Sequence, residues 1–426
     1  MTIDLKINAD RLNKTLHDTC TAWGQGTRWG TASTETGMKR LALSPEDGEV
    51  RRWLVAEAKK LGCEVTIDAM GNIFCVLAGR NAGTPTMMGS HLDTVPTGGR
   101  YDGILGVQAG LEVLRSIKDA GYIPNYPVGL VDWTNEEGAR FPFSMVSSGV
   151  WAGEVDLERA YALADVHDKT KTISSCLDDI GFKGETECSY KAMPFKAHFE
   201  LHIEQGPILE AAKQKVGIVQ GVQAYNWFTV TVSGRPQHTG TTPFAARADS
   251  MLASARFIAK AHEIASAHDG LVSTGIFGVE PGAVNVLPET TQFSIDMRHV
   301  EDDELALIEA ETWACLDKIV AATPGLSYTK EPIIRSPAVK FNQTCIDCVT
   351  KAAETAVGAD LCRPMTSGAG HDSCYTSLRC PTTMIFVPSK GGISHNPVEY
   401  TSPEDCAIGA QVLLGAVVDF DSRRSD

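Results

Sequence analysis

Residues 86–95 read TMMGSHLDTV, residues 104–121 ILGVQAGLEVLRSIKDAG and residues 127–137 PVGLVDWTNEE. The first and third are short apolar runs without polar alternation, the pattern of strands covered on both faces. The second repeats apolar residues at three- and four-residue spacing, which predicts a helix. Strand, helix and strand in that order imply a crossover unit, and so a mixed, mostly parallel sheet covered by helices. Ligands of such sheets gather beyond the carboxyl ends of the strands. Both polar clusters here, His91-Leu92-Asp93 and Asn135-Glu136-Glu137, stand at those ends.

Upstream, residues 11–24 and 44–62 read as helices. The second has Ser44 as N-cap, Pro45 at its first position and Gly62 at its end. Residues 63–79, CEVTIDAMGNIFCVLAG, read as a hairpin turning at Met70-Gly71-Asn72. Downstream the texture changes. Residues 226–234, 273–300 and 326–335 read as strands, and residues 249–268 and 302–323 as long amphipathic helices. This predicts an inserted α+β domain over residues 224–338, a four-stranded antiparallel sheet with two helices on one side. The α/β catalytic domain would then be discontinuous, made of residues 1–223 and 339–426. A strand in residues 383–389 and a final helix from Pro403 complete it.

The chain has 426 residues and a net charge of −15, with its acidic residues spread along it. That balance speaks against nucleic acid, which requires clustered Lys and Arg. The polar start and the lack of a long apolar run speak against a secretory leader and a membrane span. Twelve cysteines without framework spacing fit reduced thiols of a cytoplasmic protein. Cys345 and Cys348 have CxxC spacing but sit in a helical pattern, where they read as helix-face thiols.

A site for two cations needs imidazole and carboxylate ligands and one group able to bridge. His91 and Asp93 share one side of a strand end because side chains alternate with period two. One can then bind metal while the other accepts the remaining ring N–H. Asp102, in the Gly-rich loop YDG, offers a carboxylate able to lie between two ions. Adjacent Glu136 and Glu137 point apart, so one can ligate while the other takes a proton from the attacking water. His202 in HIEQG and His395 in SHN add two more imidazoles.

Together with GSHLDTVPTGGRYDG, WTNEEGARF, HFELHIEQGPILE, GVQAYNW, HTGTTP, NVLPE, DMRH, SGAGHDS and PSKGGISHNP, these motifs run in order from about residue 70 to 400. The chain resembles the carbamoylase branch of the di-zinc aminoacylase and carboxypeptidase superfamily. That branch includes β-ureidopropionase, N-carbamoyl-L-amino acid hydrolase and allantoate amidohydrolase. The resemblance implies that His91 and Glu137 each bind one ion, that Asp102 bridges, and that His202 and His395 complete the two shells. It makes Glu136 the general base and Asp93 the residue that orients His91. Gln205, His238, Asn285 and Arg298 match substrate-binding positions, with His238 acting across a homodimer interface. His371 is expected to support structure or touch substrate. The implied cofactors are two divalent ions, zinc first, with manganese, cobalt or nickel suited to the same ligands. The implied substrate is a small N-carbamoyl amino acid, N-carbamoyl-β-alanine favoured, cut to the amino acid, CO2 and ammonia. Thr239 departs from the pattern, which has Ala there, and bears on substrate choice. The same machinery would serve allantoate, an N-acyl amino acid or a dipeptide. A binding protein that had kept only the fold would have no physical reason to retain both Glu136 and Glu137.

Overall fold

The protein is described by a computed structural model covering residues 5–424. Met1 to Asp4, where the polar start begins, lie outside the described residues. The chain forms two compact units. One comprises the chain up to Gly221 and from Phe341 onward; the other is Val222–Lys340.

The first unit is built on four parallel strands in the order Thr382–Val387, Ala197–Ile203, Thr86–His91 and Val128–Trp133. Every residue of the four is buried, as expected for a parallel sheet with both faces covered. Antiparallel strands flank this core. Ile73–Leu77 pairs with Val128–Trp133 and carries Glu64–Ile67 beyond it, while Val216–Val222 pairs with Thr382–Val387. The crossover helix Ile104–Asp119 is buried from Ile104 to Ile117, and with helix Pro403–Arg423 it packs on the central strands. Its buried Glu112 accepts two bonds from Arg11, 2.8 and 2.7 Å long, which ties in helix Ala9–Ala22.

Helix Pro45–Lys60 starts as its sequence dictates: Ser44 Oγ accepts the Asp47 N–H at 3.2 Å. Within it, buried Arg51 donates to Asp47 Oδ2 (2.9 Å) and to the Gly71 carbonyl (2.9 Å), and lies 3.4 Å from Asp132 Oδ2. This guanidinium joins the helix, the hairpin turn and the strand that leads into the Asn135-Glu136-Glu137 loop.

In the second unit, Ala224–Ser233 pairs on one side with Thr290–His299 and on the other with Ser327–Ser336, all antiparallel. The remaining edge differs from the expected single strand. Leu271–Ser273 and Phe277–Glu280 both pair with Thr290–His299, and the break between them is bridged by Ser294 Oγ, which accepts the N–H groups of Gly275 and Ile276. Burial alternates along Ala224–Ser233 and Thr290–His299, so one face is apolar. Phe228, Phe293 and Ile295 from that face join Phe257, Ile308, Trp313 and Leu316 of helices Ser250–Ala267 and Asp302–Ala321 in one core.

All twelve cysteines are free thiols, and Cys345 and Cys348 are buried in helix Gln343–Val357. Among the described residues no helix is long and apolar enough to cross a membrane.

Candidate metal centre

His91 closes the strand Thr86–His91, and its Nδ1 lies 2.9 Å from the Asp93 main-chain oxygen. A carbonyl can only accept, so Nδ1 carries the proton and Nε2 keeps a lone pair. That Nε2 is buried without a hydrogen-bond partner, 3.5 Å from Glu136 Oε2 and 3.7 Å from Asp102 Oδ1. His202 repeats the arrangement. Its Nδ1 faces the Ile203 carbonyl at 2.9 Å, while Nε2, which in the neutral ring accepts the Gly103 N–H at 3.2 Å, lies 3.1 Å from Asp102 Oδ1. Two imidazole lone pairs and a carboxylate oxygen therefore converge on one buried point. A cation is what such a set of acceptors fits.

Asp102 shares its other oxygen with a second group. Oδ2 lies 3.3 Å from His395 Nε2, which is 3.4 Å from Glu137 Oε2. One ligand atom from each of His91, Asp102 and His202 falls within a 4.8 Å cluster, and so does one from each of Asp102, Glu137 and His395. The carboxylate common to both sets is placed as a bridge must be. The close approach of its loop depends on Gly103, which has φ +65° and whose Cβ, if present, would overlap the His91 ring. Asn135, Gln205 and His395 also adopt positive φ, so three further residues at the centre hold backbone conformations that cost an L-residue energy.

Asp93 corrects the expectation drawn from its spacing. The imidazole is oriented by its main-chain oxygen, and its carboxylate stands 3.9 Å from His91 Nδ1. That carboxylate instead accepts the N–H groups of Glu136 and Glu137 at 3.2 and 3.3 Å, fixing the loop that presents both glutamates. The turn directs the Asp93 side chain at the adjacent strand end and leaves its carbonyl facing the ring.

The electrostatics follow from burial among like groups. Burial pushes the Glu136 carboxyl well up, helped by Asp372 and Glu137; burial and Asp102 do the same to Glu137. Burial lowers His91 to about 4. At His202 burial acts in the same sense, but Asp102 and Glu200 outweigh it and raise the imidazole to about 9.

The sequence over residues 87–419 matches the model of peptidase family M20/M25/M40. The chain belongs to that family. It is 37% identical over 421 residues to the N-carbamoyl-L-amino-acid amidohydrolase of Rhizobium meliloti, covering 97% of each chain. It is 34% identical over 398 residues to the allantoate amidohydrolase of Bacillus subtilis, covering 90% of this chain and 92% of that one. A crystal structure of an amidase of the hydantoinase/carbamoylase family from Burkholderia multivorans superposes with a TM-score of 0.90 at 40% identity, over 97% of this chain and 98% of that one. The chain is thus an M20-family hydrolase of amide C–N bonds in the carbamoylase branch.

The substrate candidates of this M20 protein fall in both units. In the first, Gln205 Nε2 donates to Asp102 Oδ2 at 2.8 Å. In the second, an antiparallel bridge pairs His238 with Val286, and the Thr239 N–H donates to the Asn285 carbonyl at 3.0 Å. The fold thereby brings the His238 and Asn285 loops together. Gly240 N–H donates to His238 Nδ1 at 3.1 Å, so the neutral ring carries its proton on Nε2. Arg298 is already paired. Its Nη2 lies 2.7 Å and its Nε 3.1 Å from Asp296, two residues along the same strand, and its guanidinium lies over the Tyr225 ring. His371 is buried and bonded to Ser367 Oγ, its ring edge-on to His202 at 4.5 Å. Three acids around the centre escaped the sequence reading: Glu200, Asp372 and Glu399, all buried. Glu200 had a visible signal, an acid flanked by Phe199 and Leu201 two residues before His202. It accepts Ser90 Oγ at 2.7 Å and Ser373 Oγ at 2.6 Å.

Proposed function

We propose that the protein is a two-metal amidohydrolase that releases the amino acid from an N-carbamoyl amino acid. His91, Asp102 and His202 would hold one divalent ion, and Asp102, Glu137 and His395 the other. The observation that carries this reading is the convergence of the His91 and His202 lone pairs on one oxygen of Asp102, whose other oxygen faces His395. Ions bound there supply Lewis acidity and a lowered water pKa. The ligand set admits zinc, manganese, cobalt or nickel, of which we favour zinc.

Glu136 would take the proton of the attacking water and return it to the leaving nitrogen. Its burial among carboxylates raises its proton affinity, which suits a group that must accept a proton and give it back. His238, donating from Nε2, would steady the oxyanion. Gln205, Asn285 and Arg298 would hold the substrate carboxylate, with Asp296 keeping the Arg298 fork aligned until the anion arrives. Products would be the amino acid, CO2 and ammonia.

The name of the Rhizobium meliloti relative favours N-carbamoyl-L-amino acids, so we place them ahead of N-carbamoyl-β-alanine, with allantoate third. A panel of these compounds, each assayed beside its carboxamide with and without chelator, tests the reading. Carbamoyl acids should be cut only with metal present, and their carboxamides far more slowly. Equal rates on acid and carboxamide would contradict the role given to Arg298. Turnover of N-acyl amino acids or dipeptides alone would move the activity to another amide.

A further inference from the structure

We infer that Glu399 is a positioning residue which, with Ser394, holds the bridging carboxylate and the His395 turn in one hydrogen-bonded frame and so sets the affinity of the second ion. The inference rests on the two-ion reading above. Glu399 is 2% exposed and follows His395 by four residues, on a turn closed by its own N–H to the Asn396 carbonyl at 3.0 Å. Its Oε1 accepts two consecutive main-chain N–H groups, Tyr101 at 3.0 Å and Asp102 at 3.1 Å. The carboxylate lies flat on Gly99, where any Cβ would collide with it, so the loop bearing Asp102 is moulded around this side chain.

Its Oε2 lies 2.9 Å from Ser394 Oγ, which also lies 3.0 Å from Asp102 Oδ2. Ser394 adjoins His395, whose φ of +52° costs an L-residue energy and must be held by its surroundings. Three segments thus meet at one acid, the Asp102 main chain, the Ser394-His395 turn and Gly99, and the Ser394 hydroxyl stands between it and Asp102 Oδ2 with one proton for either carboxylate. The Asp102, Glu137 and His395 group depends on that frame most, because His395 is its most exposed member, with 52% of its side chain accessible. The His91, Asp102 and His202 group has two ligands fixed independently by main-chain carbonyls. Partners that orient metal ligands typically change affinity by about 10–100-fold when removed.

The test is zinc titration of metal-stripped wild type, Glu399→Ala and Glu399→Gln, read as ions per chain by elemental analysis and as affinities by competition with a chelating dye. Wild type should take two ions. Glu399→Ala should keep one at near wild-type affinity and bind the other about 10–100-fold more weakly, the pattern also expected of His395→Ala. Glu399→Gln keeps an oxygen for both N–H groups and an amide for Ser394, so it should retain both ions. Should Glu399→Ala fail to fold, Ser394→Ala removes the hydroxyl set between Glu399 and Asp102 Oδ2 beside the His395 turn, keeps the Glu399 bonds to the Tyr101 and Asp102 N–H groups, and should likewise weaken one ion. Two ions of wild-type affinity in Glu399→Ala, or in Ser394→Ala where it stands in, would overturn the inference even if thermal stability fell. Equal loss in Ala and Gln would overturn it too, since the frame would then act through charge. A wild type that takes fewer than two ions would instead count against the two-ion reading itself.

Discussion

Glu136 and Glu137 are neighbours in sequence with different surroundings, and their difference is testable by one atom. Glu136 Oε2 lies 3.5 Å from His91 Nε2, whereas Glu137 Oε2 lies 3.4 Å from His395 Nε2. Glu136→Gln removes the proton acceptor while keeping volume. It should leave two ions bound and lower kcat by about 10²–10⁴-fold, checked by elemental analysis beside steady-state kinetics. Retained turnover with both ions present would refute the base assignment. His202 supplies a second prediction. Without metal its imidazole is raised to about 9, so below that pH it holds a proton that an entering ion must displace. Metal affinity should therefore climb as pH rises toward 9, by about tenfold per unit from this group alone. Calorimetry of zinc binding in buffers of different ionisation enthalpy should show proton release at pH 7 that declines toward pH 9, and a release unchanged over that range would count against a charged His202.

At the scale of elements, the strand that leads into the glutamate loop is tied to helix Pro45–Lys60 through Arg51, which has no exposed surface and two acids beside it. Replacing Arg51 with Met leaves Asp47 and Asp132 buried without their cation. Chemical denaturation should show a loss of about 3–5 kcal/mol, although Arg51 touches no ligand. A change under about 1 kcal/mol would mean that Arg51 is not needed to compensate the two acids. These elements also show what the sequence discloses. The buried strands, the crossover helix and the Ser44 cap were legible because each is decided by local pattern: apolar runs, 3.6-residue periodicity, a capping side chain. Helices Val146–Ala152, Leu157–Tyr161 and Ile173–Ile180 were not read, being too short for periodicity to declare them. The edge of the second sheet looked like one strand because its break depends on a side chain, Ser294, from a different strand. At the site, ligand types at strand ends were visible, but partners were not. Nothing in HLD tells whether Asp93 offers its carboxylate or its carbonyl, and Glu399 gained its contacts from residues about 300 positions away.

At the scale of the whole molecule, the metal group belongs to the first unit and His238, Asn285 and Arg298 to the second. We propose that a homodimer is the working form and that His238 serves the partner subunit's site. Glu136→Gln and His238→Ala chains, each inactive alone, should regain about a quarter of wild-type activity after subunit exchange, because half of the dimers then carry one complete site of two. No recovery after verified exchange would place His238 in its own subunit's site or outside any site. The central claim is that Asp102 joins two ion sites and that both ions are needed to hydrolyse a carbamoyl amide. It is met most directly by stripping the wild-type enzyme and adding zinc back stepwise while following ammonia release from an N-carbamoyl-L-amino acid. The account predicts no release from the stripped enzyme, and full activity only as the second ion per chain is bound. Undiminished release from protein shown to be free of metal would contradict it.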